Sequence, residues 1–213
     1  MHVFYLHGFA SSPRSTKASY FADRLRPYGV ALRCPDFNAP DFATLTLTRM
    51  VEQVCAEVAA LDDQPVVLMG SSLGAVVAIH AAERLPGRVA RLVLLAPAVM
   101  FPKDAGRVLG TERGSEWERA GTIDIFHYGD GTTRPLNYTL YTDGLRYDAF
   151  AARVTLPVLV FQGRRDEAVD SRMVERWAAP RPNVALTLLD DDHQLLASLP
   201  GIWNGVASFL GLT

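Results

Sequence analysis

The sequence predicts an α/β domain built on a mostly parallel six-stranded sheet, with helices on both faces and a cap or lid insertion. Three observations predict it. Short apolar runs rich in β-branched residues alternate with longer segments of helical period, the pattern of a parallel sheet buried on both sides. The runs are nearly continuous in apolar residues rather than alternating. One stretch, Phe101 to Phe150, breaks the rhythm with mixed glycine, aromatic and charged residues, and an interruption of that length in a compact domain reads as a cap.

Taken in order, Val3-Leu6 predicts the first strand and Ser15-Leu25 the first helix. Val30-Arg33 is the second strand. In Thr44-Leu61, residues Leu47, Met50, Val51, Val54, Cys55, Val58 and Leu61 recur at three- and four-residue steps, giving a helix with one apolar stripe for the sheet. Val66-Met69 is a strand, Leu73-Leu85 a helix and Arg91-Ala96 a strand. After the insertion come the strand Pro157-Gln162, the helix Ser171-Ala179, the strand Val184-Leu189 and the helix Gln194-Leu210.

A chain of 213 residues, 49% of them hydrophobic, suits one domain spanning 1–213, with 101–150 as its insertion. A net charge of −2 and a pI near 6.2 give no electrostatic reason to expect nucleic acid or an anionic membrane as partner. Small molecules are the natural ligands, and nothing in the residues fixes an oligomeric state. Met1 runs straight into strand-like residues, so no export signal is expected. Leu92 to Phe101 is too short to cross a bilayer and contains Pro97. Cys34 and Cys55 lack metal-ligand spacing and read as core thiols, consistent with a cytoplasmic protein. No metal or organic cofactor is expected.

Gly70-Ser71-Ser72-Leu73-Gly74 lies between a predicted strand and a predicted helix. A G-x-S-x-G turn in that context is too tight for side chains at its ends and presents its central serine above the sheet, which makes Ser72 the candidate nucleophile. An acyl-transfer serine needs a base and a group to orient it, and in a parallel sheet both are expected at the carboxyl ends of strands. His193 follows the strand Val184-Leu189, and Asp166 follows the strand Pro157-Gln162. Asp170 or Asp104 could orient the histidine instead. The order Ser, Asp, His is that of α/β-hydrolases.

Each residue has a plainer reading beside this one: Asp166 as a solvated loop carboxylate, His193 as a cap for the last helix. Among the other histidines, His2 lies in the first strand, His80 along the helix after Ser72, and His127 in the insertion, where a packing role competes with facing substrate. His7-Gly8-Phe9-Ala10 ends the first strand. The amides of Phe9 and Leu73 can point together at a developing oxyanion beside Ser72.

The chain resembles the α/β-hydrolase superfamily over essentially its whole length, and most closely its short YqiA-like esterases. The opening His7-Gly8-Phe9-Ala10-Ser11-Ser12-Pro13-Arg14-Ser15-Thr16-Lys17 and the elbow Gly70 to Gly74 carry the likeness. It implies Ser72 as nucleophile, Asp166 as acid, His193 as base, Phe9 and Leu73 as oxyanion amides, and a spatial strand order 2-1-3-4-5-6. Two departures stand out. Three aspartates, Asp190, Asp191 and Asp192, precede His193 where glycine-rich residues are usual, and a neighbouring carboxylate favours protonated histidine. The insertion is also longer than in a minimal member.

The implied activity is hydrolysis of a carboxylic ester or thioester of a small or medium acyl group, through an acyl-enzyme. Arg14 and Lys17 are candidate receivers of a substrate anion, as in an acyl-CoA, unless they are only a solvated helix start. Trp117, Phe126 and Tyr128 are candidate acyl contacts, unless they pack the lid itself. A serine peptidase or amidase, or an acyltransferase, can use the same residues, and a binding module that keeps the fold without catalysis is a different class of answer.

Overall fold

The computed structural model describes residues 1–212. In chain order its elements are β1 His2–Leu6, α1 Thr16–Leu25, β2 Leu32–Arg33, α2 Leu47–Ala59, β3 Val66–Ser71, α3 Leu73–Arg84 and β4 Val89–Leu95. The inserted segment adds α4 Ala105–Leu109, α5 Thr111–Ala120, β5 Thr122–His127, β6 Thr132–Asn137 and α6 Thr139–Gly144. The chain then closes with β7 Val158–Gly163, α7 Ser171–Ala178, β8 Val184–Leu189 and α8 Leu199–Leu210.

Six strands form one sheet in the order β2-β1-β3-β4-β7-β8. Every neighbouring pair is parallel. That is the expected order, counting only the strands of this sheet, and it makes the sheet wholly rather than mostly parallel. Side chains alternate between two buried layers, as the strand period requires. Phe4, Leu6, Leu68, Leu92, Leu94 and Val160 face the layer shared with α2, α3 and α7. Val3, Tyr5, Met69, Val93, Leu95 and Phe161 face the layer of α1 and α8.

Several element boundaries differ from expectation by one to five residues, and two of the differences have a clear cause. The second strand is Leu32–Arg33 rather than Val30-Arg33, since it is an edge strand that pairs only Leu32 with Val3 and Arg33 with Phe4. The last helix starts at Leu199 rather than Gln194, because Asp191 Oδ2 takes the Ser198 N–H (2.9 Å) and residues 194–198 form the turn that follows His193.

The segment 101–150 has more order than its composition predicts. It holds three helices and the antiparallel hairpin β5–β6, with Ile123 paired to Leu136 and Ile125 to Arg134. Its periodicity is hard to read because one inward position of β5 is His127, fully buried, and β6 contains Pro135.

Candidate active site

In a parallel sheet all carboxyl ends lie along one edge, so the residues following β1, β3, β7 and β8 meet there. Backbone strain is concentrated at the same edge. Among the described residues, positive φ outside glycine occurs at Ala10, Ser72, Ala96 and Leu195, each in a loop just after a sheet strand. Such conformations persist only where the surroundings over-determine them.

Ser72 has φ 54° and ψ −117°. Its N–H donates to Leu95 O (2.9 Å), and its carbonyl accepts from Ala75 (3.0 Å) and Ala98 (3.3 Å), so the end of β4 locks the elbow. The flanking glycines are dictated by contact. A Cβ on Gly70 would lie 2.4 Å from Gly74 O, and one on Gly74 would lie 2.0 Å from Leu6 O. Gly8 packs on the elbow in turn, where an added Cβ would come within 3.3 Å of Ser72 Cβ. This brings the Phe9 loop beside the start of α3. Neither the Phe9 nor the Leu73 N–H is engaged in a turn or capping bond among the described residues.

His193 Nδ1 lies 2.8 Å from Asp166 Oδ2. The carboxylate is buried, while the imidazole is 23% exposed and reachable by a ligand. Asp166 Oδ1 accepts the Ala168 (2.9 Å) and Val169 (2.8 Å) N–H groups, and Gln162 Nε2 donates to Oδ2 at 2.9 Å. Burial alone would raise the Asp166 carboxyl, but the bonds from His193, Val169 and Gln162 outweigh it and hold the group below its ordinary value. The other two carboxylates that sequence reasoning left open lie elsewhere. Asp170 caps α7 through the Arg172 N–H, and Asp104 stands at the start of α4. Among the described residues no hydrogen bond joins Ser72 to His193.

The three aspartates before His193 have separate partners. Asp190 pairs with Arg165 (3.2 Å), Asp191 binds the N–H groups of Asp192 (2.8 Å) and Ser198, and Asp192 binds the Gln194 N–H (2.8 Å). Gly163 lets this turn approach β7, since a Cβ there would lie 2.5 Å from the Asp191 and Asp192 carbonyls.

His7 is structural. Its buried ring donates from Nδ1 to Gly8 O (2.9 Å) and accepts the Phe37 N–H at Nε2 (3.1 Å), which fixes the neutral tautomer; burial pushes it below the ordinary histidine range. Asn38 continues the brace, with Nδ2 on Ser11 O (2.9 Å) and Oδ1 on His127 Nε2 (3.0 Å). His127 thus ties the hairpin to the loop after β1, the packing role rather than the substrate-facing one. Sequence reasoning missed Asn38 and Gln162; the signal for Gln162 was a polar residue closing an otherwise apolar strand.

The candidate substrate contacts divide. Lys17 is buried with Nζ on Gln194 O (2.9 Å), so of the two candidate anion receivers only Arg14 is exposed. Arg14 is exposed and lines a cleft of about 540 Å³ with Ser12, Asp36, Asn38, Asp130 and Arg134, bordering neither Ser72 nor His193. Trp117 is buried, donates to Leu136 O (2.9 Å) and meets Tyr138 edge-on, the packing alternative. Phe126 and Tyr128 are exposed and stack edge to face at 5.1 Å. His80 is buried against Tyr147, and His2 meets Asp62 at the surface. Among the described residues no group of three or more His, Cys, Asp or Glu is placed to hold a metal ion, and no helix is long and apolar enough to cross a membrane.

Residues 2–208 match the protein family UPF0227, described as uncharacterised. The chain belongs to that family. Its fold is shared with solved α/β-hydrolases. Est1E from Butyrivibrio proteoclasticus, in a structure with ferulic acid bound, aligns at TM-score 0.83 and 23% identity over 98% of the UPF0227 chain and 87% of its own. Alpha/beta hydrolase domain-containing protein 10 from mouse aligns at 0.81 and 22% identity, over 100% and 90%. The Pyrococcus furiosus esterase Pf2001 aligns at 0.70 and 20% identity, over 99% and 82%. A comparison with curated proteins finds no match. At these identities the structural likeness establishes the α/β-hydrolase fold of the UPF0227 chain, as the YqiA-like motifs predict.

Proposed function

We propose that this UPF0227 member is a serine hydrolase that cleaves a carboxylic ester or thioester of a small or medium acyl group through an acyl-enzyme on Ser72. The observation that carries the reading is the buried Asp166 carboxylate bonded to a part-exposed His193, on the sheet edge where Ser72 is held in a strained turn. A base that is oriented and open to a ligand, on the same sheet edge as a serine held in a tight elbow, is the minimum for acyl transfer.

In this reading Ser72 Oγ attacks the carbonyl while its proton passes to His193 Nε2. Asp166 holds the Nδ1–H tautomer and stabilises the imidazolium, and the amides of Phe9 and Leu73 receive the oxyanion. The proton then moves from His193 to the departing alkoxide or thiolate. Water repeats the sequence on the acyl-serine and regenerates the hydroxyl. The Ser72–His193 bond belongs to the substrate-bound state, since such bonds often tighten only when a ligand arrives.

Esterases among the structural neighbours support an ester substrate, and the ferulic acid bound to Est1E adds an aryl acid to the acyl groups worth offering. The test is turnover of p-nitrophenyl esters from acetyl to dodecanoyl, a feruloyl ester, acyl-CoA thioesters and aminoacyl amides, with Ser72→Ala as blank. Ester or thioester turnover lost in the variant is expected. Activity unchanged in Ser72→Ala, or amides preferred to esters, would overturn the assignment.

A further inference from the structure

Lys17 belongs to the opening motif, yet nothing in the proposed reaction uses it. It lies in the first turn of α1, where Ser15 caps the helix by accepting the Ala18 N–H. The side chain is buried, and Nζ reaches Gln194 O across 177 residues of sequence. Gln194 immediately follows His193, and its N–H is fixed by Asp192 Oδ1. The turn that carries His193 is therefore held from α1 as well as from within.

The charges around that turn are mostly negative without Lys17. Asp166 touches the imidazole, Asp191 is buried two residues before it, and Asp192, at the surface, adjoins it in sequence. Arg165, after β7, pairs with Asp190 and acts on Asp191. Asp192, Asp166 and Asp191 are the carboxylates that act most strongly on the Lys17 ammonium, and the attraction is mutual. Carboxylates near an imidazole favour its protonated form, which cannot accept a proton from serine; a nearby ammonium acts in the opposite sense.

A buried ammonium is a poor device for stability alone. Burial is the largest influence on Lys17 and draws it down to about 8 despite the three carboxylates. A methionine of similar length would fill the space without desolvating a charge. A chain that keeps the charge there gains something other than packing.

We propose that Lys17 is a positioning residue for His193: its ammonium ties the turn after β8 to α1, and its charge offsets the carboxylates of Asp166, Asp191 and Asp192 around the imidazole. This rests on the reading of His193 as the base.

The experiment compares the parent with Lys17→Met and Lys17→Arg, following kcat/KM for a p-nitrophenyl ester against pH, melting temperature, and the titration of the His193 ring by NMR. Lys17→Met is expected to melt at or above the parent temperature at pH 7. Its acidic limb moves to higher pH by about one unit, roughly a tenfold loss on that limb, with a parent-like alkaline plateau. Its imidazole titrates at correspondingly higher pH, while Lys17→Arg stays close to the parent in both. An unmoved pH profile and ring titration in Lys17→Met would overturn the proposal, as would an equal loss at every pH with a lowered melting temperature. If the parent hydrolyses no ester, the serine hydrolase reading fails first, and the ring titration still decides the role of Lys17.

Discussion

His193 and Asp166 stand 27 residues apart in sequence and 2.8 Å apart in space, Nδ1 to Oδ2, because adjacent parallel strands β7 and β8 deliver their following loops to one edge. The carboxylate accepts four hydrogen bonds, from His193, Gln162, Ala168 and Val169, and is buried beneath a partly exposed ring. Replacing it with asparagine keeps the shape and presents the ring with an amide in place of the carboxylate. Asp166→Asn is expected to lower kcat by about 10⁴ while the protein stays folded, checked by ester kinetics beside circular dichroism.

Ser72 is held at a positive φ with ψ −117°, a conformation that costs about 1–3 kcal/mol for a residue with a side chain. Ser72→Gly relieves that strain while removing the hydroxyl. The variant is expected to be inactive yet more stable by about 1 kcal/mol, a rise of roughly 2–4 °C in Tm for a chain of this size. Thermal unfolding beside an activity assay reads both.

Lys17 gives a pH dependence whose sign can be worked out. The group titrates near 10.5 when unperturbed and near 8 in the fold. Between those values the unfolded chain binds the extra proton, so the folding stability contributed by this group rises with pH through that window. Below about 8 both states are charged and the full penalty, on the order of 3 kcal/mol, applies. The Tm difference between Lys17→Met and the parent is therefore expected to be largest at pH 7 and to shrink towards pH 10.5, as differential scanning calorimetry on both would show.

Trp117 is the centre of the inserted segment: buried, bonded to Leu136 O, and flanked by Tyr138 and Tyr141. Trp117→Ala leaves a cavity there and is expected to destabilise the protein by about 3–5 kcal/mol, measured by urea unfolding. Trp117→Phe keeps most of the apolar volume and loses the bond to Leu136, so it should recover much of that stability.

The sheet was legible because its strands are apolar on both faces: Val66-Val67-Leu68-Met69 can only be interior, and the helical stripe from Leu47 to Val58 needs a surface to cover. The elbow was legible because Gly70 and Gly74 are forced by contacts with Ala75 and Leu6 that any such turn must make. What stayed hidden depends on long-range partners. Lys17 reads as a solvated helix start until the fold brings Gln194 to it, and Asn38 shows its purpose only when His127 arrives from the hairpin. The hairpin itself escaped notice because its alternation runs through a histidine and a proline.

The most direct measurement is labelling with a fluorophosphonate followed by intact-mass and peptide mapping of the parent, Ser72→Ala and His193→Ala. One adduct per chain, located on Ser72, absent from Ser72→Ala and formed far more slowly in His193→Ala, is the expected result. An unlabelled parent, or an adduct that persists in Ser72→Ala, would contradict the assignment of Ser72 and His193 as nucleophile and base.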